Sequence, residues 1–284
     1  MTGRQERNWQ HKYRKQLWPE KGMKEKMISK EIYKSRVLPE LTDEQKLSPY
    51  APIYYKKTSD PDEQVLKALG LIPIDDKMAL DDKSIYLAFL PEAMPCDNGW
   101  CIRADGTGYS TVRIIMPGVT PEIEKWWYGW FKDPGFDYLN YKIWMPGWHK
   151  SHSSPLIEDV GWGYLKIYSD GFGTESMLNI DGSAVEMDPD FMHAVVSSGI
   201  SIPEDDPEGE KIYNSIIKIY KKHGTGIQVQ AFNYLGVRIN EGRFEKMHDA
   251  DPDKVRMFAW HNAYECHRMG QILPELYKIA NMRK

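Results

Sequence analysis

Cysteine is scarce. The 284-residue chain has three, Cys96, Cys101 and Cys266, with no CxxC pair among them. An odd, widely spaced set excludes a disulfide-stapled scaffold and fits a reduced, cytoplasmic setting. Long apolar runs are missing too, and none approaches the ~18 residues of a membrane span. The N-terminal stretch "MTGRQERNWQHKYRKQLW" has no hydrophobic core of a secretory leader. No GxGxxG opens a helix and no GxxxxGK[ST] occurs, so the usual phosphate cradles are absent. Nor is there an excess of positive charge, since the formal net charge is −4. Nucleic-acid binding by phosphate neutralisation is not expected.

What the chain does have is aromatic rings, with 10 Trp and 17 Tyr. Such rings fill cores, and they also wall cavities for flat, partly polar ligands. Residues 1–80 read as a basic helical and loop arm, suited to a surface or dimer contact. From residue 81 regular structure is expected. "GWCIRADGTGYSTVRIIMPG" reads as two strands joined by a glycine-rich turn. "TPEIEKWWYGWF" reads as a helix capped by Thr120 and opened by Pro121. "DYLNYKIWM", "GYLKIYS" and "GTESMLNI" read as strands, and "HGTGIQVQAFNYLGVRI" as one long strand or two around Gly236. A helix starts at Asp251 and is expected to be disturbed at Gly270 and Pro274. The order implies an α+β fold, with a curved antiparallel sheet wrapped on the last helix.

In that helix Phe258, His261, Glu265, Met269 and Ile272 share one stripe. A histidine and a carboxylate in an apolar stripe must be paired with each other or hold a metal ion. His267 and Arg268 fall to the expected solvent side. One helix turn supplies at most two ligands, so further donors are needed. Imidazole with carboxylate suits zinc, iron or manganese. His149, in "YKIWMPGWHKSH", is the best outside candidate, and the carboxylates Glu158, Asp159, Glu175 and Glu186 follow it.

"MPGVTPEIEKWWYGWF", "YKIWMPGWH" and "HNAYE…ILPELY", in that order, resemble the family of 2,4-diacetylphloroglucinol hydrolase and phloretin hydrolase. The resemblance runs from about residue 100 to the C-terminus. It implies a helix-grip fold of the Bet v 1 kind over residues 81–284, and one zinc held by two histidines and two glutamates. Carried onto this chain, the ligands are His149, His261, Glu265 and Glu175, with Glu158 and Glu186 competing for the last place. Tyr141 and His223 would bond phenolic oxygens and move protons, and His152 and Tyr234 would contact substrate. His152 stands where the family often has asparagine, and Met145 where a histidine is usual, so specificity differs. The implied activity is hydrolysis of the carbon–carbon bond between an acyl group and a phenolic ring. Its partners would be a small aromatic ketone and a second copy of the chain, with no nucleic acid or membrane. Another metal-dependent hydrolase or lyase, and a non-catalytic binder of aromatic ligands, are the competing readings.

Overall fold

The computed structural model describes residues 38–90, 94–131, 135–147, 149, 188–201, 212–240 and 243–282. These belong to a compact unit running from Arg36 to Lys284. Among the described residues three short helices come first, α1 (Asp43–Lys46), α2 (Ala51–Tyr54) and α3 (Glu63–Ala68), followed by 3-10 turns at Asp76–Met78 and Ile85–Phe89.

β1 (Gly99–Ile102) and β2 (Gly108–Met116) form the expected antiparallel pair. Gly106 turns the chain between them at φ +87, and the Asp105 carboxylate accepts from the Thr107 amide and hydroxyl. Helix α4 (Pro121–Trp130) starts as its sequence dictates: the Thr120 hydroxyl accepts from the Ile123 amide, and Pro121 occupies the first turn.

"DYLNYKIWM" is not a strand. It lies in helix α5 (Gly135–Trp144), which buries Leu139, Asn140 and Ile143. Leu139, Tyr141 and Ile143 alternate with the polar Asn140 and Lys142 and imitate period two, but the three- and four-residue spacing of the buried positions builds a helix face. Phe136, Asp137 and Tyr138 enter α5 with φ near +50. Gln45 of α1 braces this entry by donating to the Asp137 carboxylate and carbonyl. "GYLKIYS" and "GTESMLNI" lie outside the described residues.

Two strands without an expectation follow, β3 (Phe191–Ser201) and β4 (Ile212–His223). β5 (Gly226–Leu235) and β6 (Val237–Asn240) divide at Gly236, which has φ +77, and β6 pairs with β7 (Arg243–Lys246). The main sheet has the order β1-β2-β5-β4-β3, with antiparallel neighbours throughout.

Helix α6 (Pro252–Asn281) lies along one face of this sheet. Its Asp251 cap and Pro252 opening are as expected, but it runs on through Gly270 and Pro274. Proline lacks the amide that would bond the residue 270 carbonyl, a local loss. Packing compensates: Ile272, Leu273 and Leu276 are fully buried, and a Cβ on Gly270 would stand 3.2 Å from the Met116 side chain. Among the described residues no helix is long and apolar enough to cross a membrane.

Register sorts the sheet into two faces. Lys218 pairs with Ala231, and Ala231 with Val112, so these three point the same way. Leu235, also on this face, packs on Val255 of α6. On the other face Tyr109, Ile217, Ile219, Phe232 and Tyr234 pack with Leu80, Ile85, Phe89, Val237 and Ile239. β5, central and covered on both sides, is accordingly buried along most of its length.

Candidate metal centre

The centre forms where α6, the end of α5 and β4 meet. Four-residue spacing on α6 brings His261 Nε2 within 3.0 Å of Glu265 Oε2, so the two do bond each other. They are not alone. After α5 the chain turns at Pro146-Gly147, with Gly147 at φ +79, and the His149 amide bonds the Met145 carbonyl. This folds the imidazole back against its own helix. His149 Nδ1 lies 3.2 Å from the Tyr141 carbonyl, one of the carbonyls a helix end leaves without an amide partner. That contact makes Nδ1 the protonated nitrogen and leaves the Nε2 lone pair facing Glu265 Oε2, 3.9 Å away.

His149, His261 and Glu265 each offer one ligand atom, all within 4.8 Å of one another. Two imidazoles and a carboxylate, largely shielded from water and with the His149 tautomer set by a backbone carbonyl, fit a divalent transition metal. Spacing on α6 and the Pro-Gly turn suffice to build this half-shell.

Burial pushes the His149 imidazole down to about 3, even though Glu265 pulls the other way, so the ring is neutral near pH 7. Burial opposes ionisation of Glu265, but Lys218, then His261 and His149, hold its carboxyl far below the usual range. Burial and then Glu265 raise the Tyr141 phenol above its ordinary value, so it keeps its proton.

Aromatic rings fix the histidine. The Tyr141 ring stacks on His149 with centroids 4.3 Å apart, and Trp144 meets it edge-on at 5.0 Å.

Lys218 was not anticipated. Its ammonium lies 2.5 Å from Glu265 Oε1 and 4.8 Å above the Trp144 ring. Burial alone would lower this ammonium, but the Glu265 carboxylate overrides it and holds it above its usual value. The signal in the sequence was a lysine inside "SIIKIY", a charge in an otherwise apolar strand.

The remaining expected residues are placed as follows. His223 is exposed at the β4–β5 turn, and alternation sets it on the face opposite Lys218. Tyr234 is fully buried on that same opposite face, against Tyr109 and Phe244. Neither is brought to the cluster. His152, Glu158, Glu175 and Glu186 lie outside the described residues, as does Asp159.

Arg268 corrects another expectation. It is buried, not solvated, and donates to the carbonyls of Ile143, Lys56 and Ile53. It thereby ties the end of α5, which carries the His149 turn, to α6, to α2 and to the segment just after α2.

A search of curated proteins finds no match to this chain. A family profile described as "DAPG hydrolase PhiG domain" matches residues 80–278, a span that holds the whole cluster. That match covers well over half of the sequence, and the chain belongs to the DAPG hydrolase family.

Proposed function

We propose that the protein is a metal-dependent hydrolase that cleaves the carbon–carbon bond between an acyl group and a phloroglucinol-type ring. The buried convergence of His149, His261 and Glu265, in a chain of the DAPG hydrolase family, carries this reading. In it these three residues hold the ion, with Glu175 as fourth ligand and Glu158 or Glu186 in its place if Glu175 is not. Zinc suits two imidazoles with carboxylates, and iron or manganese accepts the same donors. Such an ion would polarise the acyl carbonyl and lower the pKa of a nearby water toward ~7.

The difficulty in this reaction is the leaving group, an aryl carbanion unless the ring carbon is first protonated. An electron-rich phenol solves this by passing through its keto form. Tyr141, kept protonated by burial and by Glu265, donates a hydrogen bond to a ring oxygen and does not act as a base. Trp144 and Tyr141 offer the flat walls that a ring would pack against, and His152 is the proposed further substrate contact. The long helix on one face of an antiparallel sheet supports a helix-grip, Bet v 1-like reading of the fold.

The test is the metal content of purified protein, together with release of carboxylic acid from acylphloroglucinols. Metal near one equivalent with acid release is the expected result. Protein that binds no zinc, iron or manganese after reconstitution, or that binds metal and releases no acid from any acylphloroglucinol, overturns the proposal.

A further inference from the structure

Glu265 has one negative charge and several claimants. Lys218 takes Oε1 at 2.5 Å, while His261 and His149 face Oε2 at 3.0 and 3.9 Å. Lys218 comes from the middle of β4, and its side chain is only 7% exposed. A buried ammonium needs an anion, and here the anion is also a proposed metal ligand. With a divalent ion bound, that ion, Lys218 and Glu265 together would carry two positive charges in excess. A second ligating carboxylate, as Glu175 would be, still leaves one. The centre is thus short of negative charge.

A second donor adds to this shortage. Trp144 Nε1 is buried and makes no hydrogen bond among the described residues. It belongs to the ring that lies 4.8 Å from the Lys218 ammonium and packs edge-on against His149. A buried N–H without an acceptor, on a ring whose face lies under a buried ammonium, leaves two donors in one region for an oxygen anion to answer.

We propose that Lys218, supported by the Trp144 indole N–H, forms an oxyanion subsite that binds a ring oxygen of the phenol as phenolate. This rests on the metal-centre reading above and deepens it, since it makes the ionised phenol the substrate form. The chemistry balances. A phenolate is the form whose acyl-bearing ring carbon most readily takes a proton, and its oxygen then becomes a carbonyl. A hydroxyl adds to the acyl carbon, the carbon–carbon bond breaks, and its electron pair returns through the ring to that oxygen. The proton on the ring carbon and the hydroxyl on the acyl carbon sum to one water. A fixed ammonium at that oxygen stabilises the charge where it develops on bond cleavage.

The probe is 4-nitrophenol, which cannot be deacylated and which turns yellow on ionisation. Full-length, zinc-loaded protein is titrated with it at a pH below the dye's own pKa, with metal content measured for each variant. Wild type should draw out the phenolate band. Lys218→Met should lose that band and bind about tenfold more weakly, since a charge-assisted hydrogen bond is removed. Its zinc content should not fall, because a like charge beside the metal has gone. Lys218→Arg should keep the band. Bound dye with the spectrum of neutral phenol in wild type overturns the proposal without any variant, should Lys218→Met fail to fold. A folded, zinc-loaded Lys218→Met that keeps both band and affinity overturns it as well, and leaves the metal reading standing. Wild type that takes up no metal overturns the metal reading and this subsite with it.

Discussion

The imidazole of His149 lies parallel to the Tyr141 ring, 6° between planes and 4.3 Å between centroids, while its Nδ1 faces the Tyr141 carbonyl. One residue thus fixes the His149 imidazole twice, through its ring and through its backbone. The hydroxyl of Tyr141 is the part that the proposed chemistry uses. Tyr141→Phe, which keeps ring and carbonyl, should retain full metal content and lose about 100-fold in kcat. Kinetics on the metal-loaded variant checks this, and unchanged kcat would remove Tyr141 from the mechanism.

Glu265→Gln should abolish stoichiometric metal binding, as the only carboxylate among the clustered ligands would be neutral. It should also destabilise the fold, because Lys218 loses its buried counter-charge. Breaking such a pair from one side costs about 3 kcal/mol. Urea unfolding of the metal-free proteins isolates that cost. Stability equal to wild type would show that Lys218 finds another partner.

The depressed His149 pKa has a definite sign. In the metal-free fold the ring stays neutral down to about 3, whereas the unfolded chain takes up the proton near ~6.5. The unfolded state therefore binds more protons between these values, and stability falls as the pH is lowered through that window. His149→Phe should flatten this dependence relative to wild type. Unfolding measured at a series of pH values reads it, and identical slopes would contradict the neutral, buried state.

Arg268 offers a test of what holds the centre in place. Arg268→Met removes donors from the carbonyls of Ile143, Lys56 and Ile53, of which Ile53 still accepts from the Lys56 amide. The expected cost is about 3 kcal/mol in urea unfolding. Metal affinity should weaken too, because Ile143 anchors the end of α5 from which the His149 turn departs. Loss of stability with unchanged metal affinity would separate the clamp from the centre.

Capping residues and turn glycines are local instructions, and they were legible. Thr120 and Pro121 start α4, Asp251 and Pro252 start α6, and Gly106 and Gly236 turn strands, all within a few residues of the groups they satisfy. His261 and Glu265 were visible as a pair for the same reason, because helix geometry alone puts them on one face. His149 entered as the best outside donor, just after a Pro-Gly turn, and again through the resemblance of "YKIWMPGWH" to a known family; its return onto α5 follows from Pro146-Gly147.

What the sequence by itself determined is the set of local starts, stops and turns, and a histidine–glutamate pair on one stripe of α6. Tertiary structure decided the rest. Leu139, Tyr141 and Ile143 of α5 alternate with polar residues as a strand would, and the segment becomes a helix that buries Leu139 and Ile143 completely. Pro274 is tolerated because the residues around it are buried. Arg268 looks like an ordinary surface cation, and Lys218 is only a charge in an apolar strand, until strand register and the seat of α6 bury them against Glu265 and against backbone carbonyls. A charge has no fixed role along a chain; its role is set by which distant group lies within hydrogen-bonding reach once water is excluded.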